Sequence, residues 1–150
     1  MMNNHSKRFG MLVLAVALFA GACGGGSDDG GGAANKGEWE QDYGAIVKAV
    51  SDDIDRSVQA LNAGQRPVVL QECTQLQEEL AEARKAVPVP DSRVDAALRD
   101  AFDATGTAVN TCVEGARIAS DARKIEEAQA LMKTAREKYS AAQDAIAAWD

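Results

Sequence analysis

Residues 66–87, RPVVLQECTQLQEELAEARKAV, carry Val69, Cys73, Leu76, Leu80, Ala83 and Val87 at intervals that alternate four and three without a fault. A helix turns once in about 3.6 residues, so this spacing lays one apolar stripe along a single helical face. Pro67 suits the first turn of such a helix, where a missing N–H has no partner to lose. The run Val87-Pro88-Val89-Pro90 ends it, because proline disfavours a helical residue before it.

The same period extends in both directions. Upstream, Trp39, Tyr43, Ile46, Val50, Ile54, Val58 and Leu61 recur at three and four, and Gly64 stops them. Downstream, Asp91 or Ser92 caps a third segment with the stripe Val94, Leu98, Ala101, Thr105, Val109, Cys112, Ala116 and Ala119. Ser120 or Asp121 caps a fourth, with Ile125, Ala128, Met132, Ala135, Tyr139, Ala142, Ile146 and Trp149 inside. No charge run or Gly/Pro-rich break divides residues 38–150, which read as one domain. Four amphipathic stripes with short loops predict an all-α fold, an antiparallel up-down-up-down four-helix bundle. No glycine or proline marks the join near Ser120, so the competing arrangement is a three-helix coil. In that arrangement a single helix runs from Asp91 to Trp149, about 88 Å at about 1.5 Å per residue.

The third segment is the thinnest. Its inner face is mostly Ala, Thr and Cys, and Gly106 and Gly115 fall inside it at about 1 kcal/mol each relative to alanine. Small side chains either let helices approach closely or leave a hole. A hole would be a cavity for a small apolar ligand beside Phe102, Thr105 and Val109.

The chain opens in another style. Met1–Phe9 carry Lys7 and Arg8 and no acid, Met11–Ala20 form a short apolar run, and Ala20, Gly21 and Ala22 lead into Cys23. These are the three parts of an export signal. A run of about 10 residues is half of the roughly 20 a permanent span needs, so residues 1–22 read as an address that is removed. Through the lipobox Ala20-Gly21-Ala22-Cys23 the chain resembles bacterial lipoproteins, with Ala where that family prefers Leu three residues before the cysteine. The resemblance implies a diacylglyceryl group on the Cys23 thiol and cleavage just before it; two acyl chains anchor stably where one is marginal. An ordinary Ala-x-Ala secretory signal, with Cys23 a spare thiol, is the alternative. Residues 23–37, CGGGSDDGGGAANKG, hold seven glycines and no large apolar side chain. They read as a flexible tether of about 20 Å r.m.s. reach. A Gly-rich tether and an Ala-, Asp-, Val- and Arg-rich body are also similar to small actinobacterial lipoproteins with all-helical bodies and two cysteines. That resemblance implies no activity.

Removing residues 1–22 takes away Lys7 and Arg8 and moves the formal charge from -7 to -9. An acidic body is a poor partner for nucleic acid or anionic headgroups. Cys73 and Cys112 are the two cysteines of the body, both on inner stripes, and an even count in an oxidising compartment points to a disulfide worth about 2–4 kcal/mol. Two buried free thiols are the alternative. The register resists a bridge: with the turn centred near Val89, a symmetric hairpin leaves the pair about seven residues, or roughly 10 Å, apart along the axis. A disulfide needs Cα atoms within about 7 Å, so an extended 87–93 segment or a break at Gly106 would have to absorb the offset.

The only histidine, His5, lies in the signal. The remaining chain therefore offers no imidazole for haem, for the Glu-x-x-His pair of di-iron bundles, for zincin motifs or for a histidine-activated nucleophile. Met132 is its sole methionine, and the body's two cysteines neither close a zinc site nor have Cys-x-x-Cys spacing. Asp52, Asp53 and Asp55, with Glu72, Glu78, Glu79 and Glu82, read as solvated acidic faces, since Ca²⁺ takes about six to eight oxygens from a turning loop. Arg123, Lys124, Lys133, Arg136 and Lys138, among Glu126, Glu127 and Glu137, read as i to i+4 surface pairing. Trp39, Tyr43, Tyr139 and Trp149 gather near the chain ends, either as a core plug or as an aromatic patch facing a partner or headgroups.

These readings converge on a lipid-anchored lipoprotein at the outer face of the cell membrane, extracytoplasmic and non-enzymatic, with no cofactor and no metal. It would bind or scaffold an envelope protein or wall component, and not nucleic acid. The alternative is a carrier that holds a small apolar ligand in the bundle interior. A histidine-free enzyme working with carboxylates, tyrosines and lysines ranks third.

Overall fold

The computed structural model describes residues 35–118 and 122–150. Helix α1 (Lys36–Trp39), a π-helical turn (Glu40–Gly44) and α2 (Ala45–Ala63) form one rod. There follow α3 (Arg66–Ala83), a 3-10 turn (Arg84–Ala86), α4 (Ser92–Arg117) and α5 (Ala122–Ala147). Four rods around one core make the protein an all-α bundle, with no strand among the described residues. The lipobox with Cys23, the signal and most of the tether fall outside the described residues, as do Ala119 and the capping residues Ser120 and Asp121. Asn35 already caps α1, its side chain accepting the Glu38 N–H at 3.0 Å, so the folded body starts before Glu38.

The π turn sets the phase of the first rod. Trp39 precedes Val47 by eight residues, about 80° past two full turns at about 100° per residue. A π turn takes up one extra residue. The effective seven residues bring Trp39 within about 20° of the Val47 face, and both side chains are buried. The inner face of this rod differs from the counted stripe: Val47, Asp53, Ser57 and Ala60 are inside, while Tyr43, Ile46 and Val58 are half-buried. Gly64 ends the rod in the left-handed region (φ 69°), its N–H donating to Ala60 O and Leu61 O.

The other three stripes sit close to their expected faces. Val69, Cys73, Leu76, Leu80 and Ala83 are buried on α3, and every counted α4 residue from Val94 to Ala116 is buried. On α4, Phe102, Ala108, Val113 and Gly115 widen the stripe. On α5, Ala128, Met132, Ala135, Tyr139 and Ala142 are inside, and Ile125 and Ile146 are half-buried. Asp91 caps α4, its Oδ1 accepting from Arg93 N and Val94 N at 2.8 and 3.1 Å. Ile118 is extended (φ -93°, ψ 104°), so α4 and α5 are separate helices and a continuous helix to Trp149 does not form. The Arg66 guanidinium donates to Ile118 O at 2.6 Å and ties the end of α4 to the start of α3.

Contacts run in opposite order along neighbouring helices. α2 meets α5 through Leu61–Gln129, Asp55–Arg136 and Val47–Tyr139. α3 meets α4 through Cys73–Cys112, Gln77–Asn110 and Arg84–Phe102. α4 meets α5 through Glu114–Lys124 and Asp100–Lys138.

The disulfide offset is absorbed between α3 and α4. From Cys73 to the end of α3 the chain rises about 15 Å, and from Ser92 to Cys112 it descends about 30 Å, so the connection must supply about 15 Å. The 3-10 turn gives about 6 Å at about 2 Å per residue. Extended backbone, which Val87 (φ -111°, ψ 143°) and Asp91 (φ -77°, ψ 115°) adopt, has ample length for the rest at about 3.3 Å per residue. Gly106 lies within an unbroken α4.

Candidate functional site

Cys73 and Cys112 are bonded, with an S–S distance of 2.00 Å and Cα atoms 6.3 Å apart. Both residues are fully buried, which makes the bridge a staple between α3 and α4 rather than an accessible redox pair.

Phe102, Thr105 and Val109 are brought together on α4 with no exposed surface to speak of. Thr105 Oγ1 donates to Ala101 O at 2.7 Å, so its hydroxyl is satisfied locally. The Phe102 ring packs 6.2 Å from that of Tyr139. The two glycines beside them mark close approach. A Cβ on Gly115 would stand 3.0 Å from Lys124 Cβ and 3.2 Å from Ile125 Cδ1, and one on Gly106 would stand 3.1 Å from Arg84 Nη2. Three surface clefts of about 320, 270 and 290 Å³ are lined by other residues.

The interior grouping that the sequence did not disclose is on α2. The sequence pattern places Asp53 on a solvated acidic face, yet it is 2% exposed, beside a fully buried Ser57. Neither carboxylate oxygen nor Ser57 Oγ has a hydrogen-bond partner. The charge is compensated by the Arg56 guanidinium, which forms an ion pair with Asp53 and lies 3.5 Å from Glu72 Oε2 on α3. Arg56 and Glu72 also line the 320 Å³ cleft, with Gln59, Ala60 and Val68. A signal for this burial was present: Val47, Val50, Ile54, Ser57 and Leu61 make an unbroken 3-4-3-4 run that puts position 53 beside the stripe.

At the end of the bundle where α1 begins, Trp39 and Trp149 are 1% and 7% exposed and their ring centroids lie 5.8 Å apart. This is a plug; Tyr43 packs on its edge, 6.4 Å from Trp39. Tyr139 is not part of it. Its hydroxyl donates to Val47 O at 2.9 Å deeper in the bundle, and burial pushes its pKa well above the ordinary tyrosine value.

Three of the basic residues of α5 pair with acids on other helices: Lys124 with Glu114, Arg136 with Asp55, and Lys138 with Asp100. Asp91 and Asp95 have lowered pKa values, chiefly because Arg93 and Arg99 hydrogen-bond their carboxylates. Among the described residues, no group of His, Cys, Asp and Glu could hold a metal ion, and no helix is long and apolar enough to cross a membrane.

Compared with known proteins, the chain matches no family model, no curated protein and no solved structure. Its chemistry must be read from the bundle itself.

Proposed function

We propose that the protein is a lipid-anchored extracytoplasmic lipoprotein, acylated at Cys23, whose up-down-up-down bundle is a non-enzymatic binding or scaffolding module of the cell envelope. The observation that carries this reading is the buried Cys73–Cys112 disulfide. Such a bond belongs to an oxidising compartment and accords with an export signal over residues 1–22. Interior polar groups serve packing and charge compensation, and the outer faces carry mixed ion pairs of the kind that solvated or partner-facing helices use. Its partners would be the membrane, through the anchor, and an envelope protein or wall component.

The test is metabolic labelling with a palmitate analogue in a bacterial host, followed by membrane fractionation. Wild type should label and sediment with membranes, and Cys23→Ser should do neither. Membrane association without label would sink acylation. A Cys73–Cys112 pair that remains reduced in the exported protein would sink the compartment. In the wild type, crosslinking through the surface lysines should then capture an envelope component.

A further inference from the structure

The cleft of about 320 Å³ lies beside the Gly64 turn, where α2 ends and α3 begins. Arg56, Gln59 and Ala63 line it from α2, Val68 and Glu72 from α3, and Gln65 from the turn between them. The rod that begins at Lys36 ends at Ala63, roughly 40 Å further on at about 1.5 Å per residue. The cleft therefore occupies the end of the bundle opposite the start of α1.

Its charges do not balance. Asp53, which is buried, and Glu72 on α3 share a single guanidinium, that of Arg56. No other lysine or arginine lines the cleft, so the group carries one negative charge in excess. Glu72 Oε2 stands 3.5 Å from Arg56 Nε, beyond the about 2.7–3.2 Å of an N–H···O hydrogen bond. The Glu72 side chain is 21% exposed, so its carboxylate can still accept from a group that enters from solvent.

The surroundings of that carboxylate suit one kind of guest. Gln59 and Gln65 add side-chain carbonyl oxygens, while Ala63 and Val68, the latter 40% exposed, add an apolar wall. An arginine has the complementary make-up: an aliphatic stem that packs on apolar surface, and a planar cationic head whose N–H fork meets several acceptors at once. An ammonium is a compact point charge and presents no fork. The volume is near the bottom of the roughly 300–1,000 Å³ that small-molecule pockets span, which fits one long side chain better than a bulky ligand. The acidic body also attracts a basic partner from a distance.

We infer that this cleft docks an arginine side chain of a partner protein, with Glu72, Gln59 and Gln65 accepting from its guanidinium and its stem lying on Val68. The inference rests on the reading of the body as a binding module and gives that module's partner a chemistry. With an anchor at Cys23, the cleft stands at the end of the bundle away from the membrane.

NMR titration of the ¹⁵N-labelled, oxidised full chain with the blocked tripeptide acetyl-Gly-Arg-Gly-amide tests this. The peptide should shift amides of residues 59–72 and saturate. Its citrulline counterpart, with the same shape and no charge, should bind at least about tenfold more weakly. Glu72→Gln should weaken the arginine peptide about tenfold and leave the amide shifts of α5 in place. Glu137→Gln, which removes the same charge from an exposed position on α5, should change binding by less than about twofold. Equal losses in the two variants would reduce the effect to general acidity and overturn the inference. So would equal binding of the citrulline peptide, shifts centred outside the cleft, or no saturable shift. The readout does not involve Cys23. A chain that binds the peptide without being acylated would keep the docking site and lose the lipoprotein reading; an acylated chain that ignores the peptide would lose only the docking site.

Discussion

Between α4 and α5 small residues make up much of the interior, alongside large ones such as Phe102 and Tyr139. Ala101, Ala108 and Ala116 on one helix and Ala128, Ala135 and Ala142 on the other are buried, and Gly115 sits where any side chain would strike Lys124. Between α2 and α3 the interior holds larger apolar side chains, Ile54, Leu61, Leu76 and Leu80, interrupted by Asp53 and Ser57 with Arg56 reaching across to Glu72. The first pair of helices resists added volume at Gly115; the second resists loss of one charge without its partner. Similar apolar periodicity thus hides two different vulnerabilities, one steric and one electrostatic.

The electrostatic pair should give the largest effect. Arg56→Met leaves the Asp53 carboxylate buried without compensation, which costs about 3–5 kcal/mol by urea denaturation. Asp53→Leu with Arg56→Met should recover most of that loss and end within about 1 kcal/mol of wild type, because an apolar pair needs no desolvation of charge. If the single Arg56 variant is as stable as wild type, Asp53 is not held as a charge. The bridge that joins the two pairs comes next. It closes a loop with a separation of 39 residues, so Cys73→Ala with Cys112→Ala should lose about 3–4 kcal/mol while keeping the helical circular dichroism. Intact mass should show the oxidised protein about 2 Da lighter than the reduced one, for the two hydrogens lost.

What could be read in advance follows from how each residue earns its place inside. The α3 stripe was legible because Val69, Leu76 and Leu80 have only one comfortable environment, and α4 because a proline-rich turn and the Asp91 cap fix its start. The first rod was counted on a face turned from the real one. Tyr43 and Ile46 fit a regular period, but the π turn inserts a residue ahead of Val47, and a polar Asp53 does not announce burial. Pairing of Cys73 with Cys112 followed from number and compartment; the register that allows it depends on an extended connection no periodicity describes. Lys124, Arg136 and Lys138 of α5 meet acids on α4 and α2, contacts invisible to counting along one helix.

The steric pair makes a sharper contrast within one helix. Gly115→Ala places a Cβ 3.2 Å from the Lys124 backbone carbon, which cannot swing away, and should cost about 1–3 kcal/mol. Gly106→Ala meets the tip of Arg84, a flexible side chain, and should be neutral or stabilising by up to about 1 kcal/mol. Two identical substitutions nine residues apart on α4 would then differ in sign. Equal effects would mean that α4 and α5 are not as close at Gly115 as the geometry states.

The smallest effect lies at the entry to α4, outside both pairs, and is visible through pH. The Asp91 carboxylate accepts the Arg93 and Val94 N–H groups and pairs with the Arg93 guanidinium, which holds its pKa below the ordinary 3.8. A depressed folded-state pKa means the unfolded chain takes up the proton first as pH falls. The stability Asp91 contributes is therefore complete above about pH 5, declines from there toward its folded pKa, and is gone below it. Asp91→Asn, which keeps a capping oxygen and loses the charge, should be slightly less stable than wild type at pH 7, with the gap narrowing as pH falls through the ordinary 3.8. A gap between the two that persists unchanged to pH 3 would show that shape at the cap, not charge, holds the first turn of α4 against the loop that the disulfide register depends on.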